Sequence, residues 1–324
     1  MSTNTATKIL GLHHVTAMSG DPQTNIDFYA GILGLRMVKV TVNFDDPHTY
    51  HLYYGDGLGR PGTLMTFFPW PGARKGNVGI GQVGVTAFSI PKGSMEFWVN
   101  RLSEAGVPFF GPEERFGDQV LSFVDPDEMP LELVESSEGD PREAQPWNGL
   151  GADVAIRGFH SVELWLGKME GMEALLQEIM GLNLVGEDQG RSRLAANGNL
   201  PGNRVDLVHR PGTPFGTTGV GTVHHVAWRV ESVVEQEALR QTLERAGLRV
   251  TEIVERNYFK SIYFRTPGGV LFEVATDGPG FDIDEPLATM GTTLQLPEQY
   301  EAMRSELQRT LPDLVLPDGT VVTK

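Results

Sequence analysis

Residues 11–18 read GLHHVTAM, and residues 222–229 read TVHHVAWR. Both are short runs typical of β-strands, both contain a His-His pair, and each precedes a segment in which apolar residues recur at helical spacing. Gly34 follows the first helical segment and Gly247 follows the second, where a glycine commonly ends a helix. The two copies predict a repeated unit that begins with a strand and a helix.

Each copy continues into a segment in which Gly and Pro mark hairpin turns. These segments are HTYHLYYGDGLGRPGTLMTFFP (48–69) and KSIYFRTPGGVLFEVATD (260–277). Two weaker copies lie between them, beginning at GVTAFSI (84–90) and GFHSVELWL (158–166). The repeat therefore predicts an α+β chain of four βαβββ modules, each too small to be stable without pairing with another.

The chain of 324 residues suits two domains. Residues 136–153, SSEGDPREAQPWNGLGAD, are rich in Gly, Pro, Asp and Glu and are typical of an interdomain linker. We therefore expect an N-terminal pair of modules over 8–135 and a C-terminal pair over 154–277. Residues 278–324 are Pro-rich and acidic, and we expect a packing tail with a short helix near 297–310.

Composition narrows the classes of partner and of metal site. The chain has no cysteine, so any metal must be held by imidazole and carboxylate groups. A formal net charge of −16 disfavours nucleic acid and anionic membranes as partners, and it favours small molecules. The first ten residues, MSTNTATKIL, lack the apolar run of a signal peptide. We expect a cytoplasmic protein, with homo-oligomer formation left open.

Three residues of the outer modules form a candidate metal site. His14 and His225 come from the two His-His pairs, and Glu273 lies between apolar neighbours in the last strand segment. Two imidazoles and one carboxylate on one face of an octahedral ion suit non-haem Fe(II), because three coordination positions stay open. Aligning GTLMTFF with GVLFEVA places Thr66 at the position equivalent to Glu273, and a threonine cannot replace a carboxylate ligand.

The middle modules contain a weaker set of ligand-type residues. His160, Asp206 and Glu132 could imitate a second metal site, but the equivalent strands lack the His-His pair. We expect this half of the molecule to be structural.

The motifs GLHHVTA, FYAGILGLRMV, TVHHVAW and YFRTPGGVLFEVATD together resemble the vicinal oxygen chelate superfamily, which includes glyoxalase I, bleomycin-resistance proteins and extradiol dioxygenases. The resemblance covers roughly residues 8–277. Within the superfamily the chain looks most like ring-cleaving dioxygenases that open hydroquinones, with catechols as the nearest alternative substrates. The resemblance implies two open-barrel domains, a small aromatic substrate, dioxygen and Fe(II), with Mn(II) or Zn(II) as alternative metals.

The resemblance also implies roles for residues beside the ligands. It assigns His13, His224, Arg256 and Tyr263 to catalysis, as acids, bases or hydrogen-bond donors to an anionic substrate. Successive strand residues point to opposite faces, so His13 and His224 should face away from His14 and His225 unless a β-bulge intervenes. Thr16 shares the face of His14 and is a candidate substrate-binding residue. Tyr263 shares the face of Glu273 only if the two residues pair across the hairpin.

Two other functions remain open from the sequence. A glyoxalase-like isomerase or lyase would use the same ligands with another metal and would need no open position for dioxygen. A non-catalytic protein that sequesters small molecules commonly lacks the ligands, so the complete set argues against it.

Overall fold

A computed structural model describes residues 9–324, in which the chain folds as four successive βαβββ modules. The expected start of the first module at residue 8, and the first eight residues of MSTNTATKIL, lie outside the described residues. Module one contains β1 (Leu12–Ser19), α1 (Pro22–Ile26) with a π-helical turn (Asp27–Ile32), β2 (Arg36–Val42), β3 (Tyr50–Gly55) and β4 (Leu64–Pro69). Module two contains β5 (Gln82–Ile90), α2 (Met95–Glu104), β6 (Phe109–Arg115), β7 (Asp118–Val124) and β8 (Pro130–Glu135).

The other two modules repeat this order after the linker. Module three contains β9 (Gly158–Leu166), α3 (Glu170–Ala174) with a π-helical turn (Leu175–Ile179), β10 (Asn183–Asp188), β11 (Arg191–Ala195) and β12 (Arg204–His209). Module four contains β13 (Thr222–Val230), α4 (Val233–Arg245), β14 (Val254–Glu255), β15 (Lys260–Arg265) and β16 (Leu271–Thr276). The predicted α+β architecture is confirmed.

The modules pair into two curved eight-stranded sheets. The first sheet has the order β14-β15-β16-β13-β1-β4-β3-β2, and the second has the order β10-β11-β12-β9-β5-β8-β7-β6. Each sheet therefore joins one module from each half of the chain: module four with module one, and module three with module two. Our expectation that neighbouring modules pair must be corrected, because the first strands of the outer modules, β1 and β13, are hydrogen-bonded to each other.

Local sequence explains where the helices begin and end. The Asp21 side chain accepts a hydrogen bond from the backbone N–H of Thr24 at the start of α1, and Ser232 caps α4 in the same way. Gly34 follows the first helical segment with φ of +68°, a conformation that glycine adopts at little cost. Among the described residues, no helix has the length and apolar character needed to cross a membrane.

The C-terminal segment packs against module one. Its short helical stretch consists of a 3₁₀-helix (Glu298–Met303) and α5 (Arg304–Thr310), close to the predicted position. Leu294 forms a β-bridge with Val40 of the edge strand β2, and Leu307 and Leu314 are buried in the main core. This covering explains why every residue of β2 is buried although the strand lies at the edge of its sheet.

Candidate active site

Three adjacent strands at the centre of the first sheet carry the predicted ligands. β1 and β13 are antiparallel, and β16 is parallel to β13. His14 and Glu273 are both register partners of Ala227, one on each side of β13. His225 is the register partner of Thr16, two residues beyond His14. The pairing of modules one and four thus brings together three side chains that are up to 259 positions apart in the sequence.

The three side chains converge on one point. His14 Nε2 lies 3.2 Å from Glu273 Oε2, and His225 Nε2 lies 2.9 Å from the same oxygen. The two Nε2 atoms are 3.2 Å apart, and all three residues are buried. The ligand atoms of His14, His225 and Glu273 all lie within 4.8 Å of one another, and no other group of three or more His, Asp or Glu residues in 9–324 meets this limit.

The donor set fits a divalent cation. Glu273 Oε2 is a buried oxygen without a hydrogen-bond partner among the described residues, while Glu273 Oε1 accepts a hydrogen bond from Ser261 Oγ. Two imidazole nitrogens and a carboxylate that face one another are compatible with Fe(II), Mn(II) or Zn(II).

β-Bulges place the second histidine of each pair next to a ligand. The register between β1 and β13 shifts between Leu12 and His14, and again between Thr16 and Ala17, opposite His224. As a result His13 Nδ1 lies 2.9 Å from His14 Nδ1, and His224 Nδ1 lies 2.8 Å from His225 Nδ1. The bulges resolve the conflict between strand alternation and the expected proximity of both histidines to the site.

The surroundings of His13 determine which nitrogen of His14 faces the site with a lone pair. His13 Nε2 lies 3.2 Å from the carbonyl oxygen of Thr276, which can only accept a hydrogen bond, so Nε2 carries a proton. Burial lowers the pKa of His13 well below its usual range, so the ring is neutral and its Nδ1 accepts a hydrogen bond. His14 Nδ1 must then donate that bond, which leaves His14 Nε2 unprotonated toward Glu273.

A hydrogen-bonded chain occupies the position equivalent to Glu273 in module one. Thr66 Oγ1 lies 2.8 Å from Thr16 Oγ1 and 3.0 Å from His51 Nε2. His51 Nδ1 in turn lies 2.8 Å from the hydroxyl of Tyr53. Thr16 is fully buried and does not line the cavity described below, so its role in substrate binding stays a prediction.

Arg256 and Tyr263 lie together on the opposite side of the site. Tyr263 pairs with Glu273 across the β15–β16 hairpin, the register on which its proximity to the site depends. Arg256 Nε donates a 3.0 Å hydrogen bond to the Tyr263 hydroxyl, and the guanidinium lies 5.4 Å from the centre of the Phe44 ring. Burial and the charge of Glu273 raise the pKa of Tyr263, so its phenol stays protonated at neutral pH.

These residues open onto a cavity of about 430 Å³. Aromatic side chains form much of its wall, and polar groups lie at the metal end and near Asp45 and Asp46. Its lining consists of His14, Asn43, Phe44, Asp45, Asp46, His51, Tyr53, Phe68, Trp70, His224, His225, Arg256, Phe259, Tyr263, Leu271 and Glu273. A cavity of this size and character accommodates a substituted aromatic ring.

The sequence did not identify His51 and Tyr53, both of which line the cavity. A signal was available: β3 and β15 are equivalent strands, and their register partners place Tyr53 opposite Thr66 as Tyr263 lies opposite Glu273. Aligning HLYY (51–54) with SIYF (261–264) would have matched the two tyrosines.

The ligand-type residues of the middle modules do not form a comparable cluster. Both oxygens of Glu132 accept hydrogen bonds from Arg115, and Asp206 forms a two-bond ion pair with Arg193. His160 Nε2 lies 3.2 Å from Asp118. Arginine side chains therefore already neutralise the carboxylates of Glu132 and Asp206.

The chain is similar to known proteins over most of its length. The family model described as the Glyoxalase/Bleomycin resistance protein/Dioxygenase superfamily matches residues 11–133 and 158–274. A Bacillus subtilis protein named "Putative ring-cleaving dioxygenase MhqO" is 48% identical over 94% of this chain and 97% of its own length. The chlorohydroquinone/hydroquinone 1,2-dioxygenase of Sphingobium indicum is 35% identical over 95% of this chain and 98% of its own length.

A solved structure agrees in overall fold. The crystal structure of a "putative dioxygenase" from Bacillus subtilis superimposes with a TM-score of 0.91 at 47% identity, and the match covers 95% of this chain and 98% of that protein.

Proposed function

The chain belongs to the Glyoxalase/Bleomycin resistance protein/Dioxygenase superfamily, and from this premise we propose that it is an Fe(II)-dependent dioxygenase that cleaves the ring of hydroquinone-type substrates. The observation that carries the proposal is the buried convergence of His14, His225 and Glu273 beside an aromatic cavity. The relatives named as ring-cleaving dioxygenases support the reaction, and one of them is named for hydroquinone and chlorohydroquinone.

In this proposal His14, His225 and Glu273 hold the metal. Bound Fe(II) would supply the activation of a phenolic oxygen and of dioxygen. His13 keeps the Nε2 lone pair of His14 directed at the site, since the carbonyl of Thr276 fixes the His13 tautomer. Ser261 orients the Glu273 carboxylate through Oε1 and leaves Oε2 for the metal.

Other residues of the chain bind the substrate and move protons. Arg256 is a donor to Tyr263, so the phenol hydrogen of Tyr263 is available to an oxygen atom in the cavity. His224 is exposed at the cavity wall. We assign it the role of the general base that accepts the proton of the substrate hydroxyl. Phe68, Trp70 and Phe259 enclose the ring and exclude water.

Oxygen uptake by anaerobically purified, Fe(II)-loaded protein tests this proposal. Panels of hydroquinones and catechols would be followed by oxygen electrode and by ultraviolet absorbance, with Glu273→Ala and a Zn(II)-loaded sample as controls. We expect uptake with hydroquinones, a ring-opened product, and loss of both in the two controls. Uptake with catechols alone would change the substrate class, and turnover of an α-ketoaldehyde–thiol adduct without oxygen uptake would favour an isomerase. The cytoplasmic location and the oligomeric state stay predictions.

A further inference from the structure

Two tyrosines occupy equivalent positions on either side of the candidate metal site. Tyr263 of β15 pairs with Glu273 of β16, and Tyr53 of β3 pairs with Thr66 of β4. Two residues before each tyrosine, the equivalent positions hold Ser261 and His51. Ser261 contacts Glu273, whereas His51 contacts Thr66. The large His51 side chain thus contacts the small Thr66, whereas the small Ser261 side chain contacts the large Glu273 carboxylate.

Each tyrosine has one nitrogen partner at its hydroxyl oxygen. Arg256 Nε lies 3.0 Å from the hydroxyl of Tyr263 and can only donate. His51 Nδ1 lies 2.8 Å from the hydroxyl of Tyr53 and can donate or accept, depending on its tautomer. If His51 donates, both phenols accept a bond from nitrogen and both keep a hydrogen to donate into the same cavity.

The hydrogen bonds that link His51 to Thr66 and Thr16 determine whether His51 Nδ1 donates to Tyr53. Thr16 can donate to Thr66, Thr66 can donate to His51 Nε2, and Nδ1–H then donates to Tyr53. The reverse direction, from Tyr53 to Thr16, is equally compatible with the three distances. An anionic oxygen in the cavity favours the first direction, because Tyr53 then gives its hydrogen to the anion in a charge-assisted bond.

We propose that Tyr53 is a second phenol donor to the substrate oxygen, opposite Tyr263, and that His51 is the positioning residue that orients it. The proposal rests on the proposed function and names a residue for its substrate. Tyr53 and His51 line the cavity that also contains His14 and Glu273. Burial and the neighbouring Tyr263 raise the pKa of Tyr53 well above its usual range, so the phenol can donate at neutral pH.

Anaerobic hydroquinone binding to the Fe(II)-loaded protein tests the assignment, followed by the fluorescence of Trp70 and the other tryptophans. We expect Tyr53→Phe to weaken hydroquinone binding about tenfold or more, the usual effect of losing a hydrogen bond to a charged group. Fe(II) affinity should stay within about twofold, which a general structural defect would not allow. Tyr50→Phe is the matched control, because the Tyr50 hydroxyl, three residues earlier, donates to the carbonyl of Pro312.

A double-mutant cycle separates the positioning role of His51 from a structural one. His51→Phe, or His51→Gln if the first variant does not fold, should weaken hydroquinone binding when Tyr53 is present and add nothing in the Tyr53→Phe background. Additive losses would overturn the role of His51, and unchanged affinity in Tyr53→Phe would overturn the role of Tyr53. Wild-type protein that binds hydroquinone without consuming oxygen would contradict the proposed function alone. Wild-type protein that binds no hydroquinone would contradict both.

Discussion

The two sheets of this molecule have the same topology and differ in what neutralises their buried carboxylates. At the central positions, the first sheet holds His14, His225, Glu273 and Thr66, and the equivalent positions of the second sheet hold Ser161, Val85, Glu132 and Asp206. In the second sheet Arg115 pairs with Glu132 and Arg193 pairs with Asp206. Within the described chain, the ligand-type nitrogens within 3.2 Å of a Glu273 oxygen are those of two histidines.

This difference indicates why one sheet is a candidate metal site and the other is not. A buried carboxylate is costly unless a cation accompanies it. The second sheet supplies that cation from its own arginines. The first sheet instead places the Nε2 atoms of two imidazoles against the carboxylate, an arrangement that a bound metal ion would complete. Both sheets provide the same four positions, and the residues at these positions determine whether a metal ion can bind.

Replacing Glu273 in the first sheet and Glu132 in the second should give the largest difference in activity between two matched variants. We expect Glu273→Gln to lower kcat/KM for hydroquinone by about a thousandfold or more, because bound metal contributes several kcal/mol of transition-state stabilisation. Glu132→Gln should leave kcat/KM within about twofold. Oxygen uptake measures both, and an active Glu273→Gln protein would contradict the assignment.

Breaking the ion pair of the second sheet should affect stability without affecting metal binding. Arg193 and Asp206 are both nearly inaccessible to solvent and share two hydrogen bonds. Arg193→Met leaves Asp206 without its partner and should lower the free energy of unfolding by about 3–5 kcal/mol in urea denaturation. The double variant Arg193→Met/Asp206→Leu should recover most of the lost free energy of unfolding. A loss below about 1 kcal/mol would show that the pair is not the compensating cation that we infer.

His160, the second-sheet counterpart of His13, should make stability depend on pH. Burial and the charges of Arg204 and Arg193 lower the pKa of His160 from 6.5 to about 4, although Asp118 acts in the opposite direction. Between these values the unfolded chain binds a proton that the folded protein does not, so stability falls as the pH decreases from about 6.5 to about 4. The shift corresponds to about 3 kcal/mol.

A comparison with His160→Asn isolates this contribution from that of other groups. The difference in unfolding free energy between wild type and variant should shrink by about 3 kcal/mol across that interval and stay constant above it. A difference independent of pH would mean that His160 has the same pKa in the folded and unfolded chain.

The smallest contrast concerns the serines beside the two glutamates. Ser261 donates to Glu273 in the first sheet, and Ser122 donates to Glu132 in the second. Ser261→Ala should weaken Fe(II) binding about tenfold, at the lower end of the effect of residues that orient metal ligands. Ser122→Ala should have no effect on Fe(II) affinity. Equal affinities for the two variants would indicate that Glu273 needs no orientation by Ser261.

The sequence could predict the four modules and the convergence of His14, His225 and Glu273, because strand and turn patterns recur with recognisable residues. It could not predict which modules share a sheet, since hydrogen bonds between β1 and β13 leave no local pattern. Nor could it decide whether His13 faces a ligand, because that depends on a bulge set by both strands. His51 and Tyr53 were missed because their proximity to the site depends on the register of β3 against β4 across a turn of eight residues (56–63).

Fe(II) binding by anaerobic equilibrium dialysis tests the central claim most directly, because it does not depend on the choice of substrate. Wild type, Glu273→Ala and Glu132→Ala would be compared at the same protein concentration. The two-sheet account predicts one Fe(II) per chain for wild type and for Glu132→Ala, and a much weaker affinity for Glu273→Ala. Wild-type affinity retained in Glu273→Ala, or lost in Glu132→Ala, would contradict the assignment of the metal site to the first sheet.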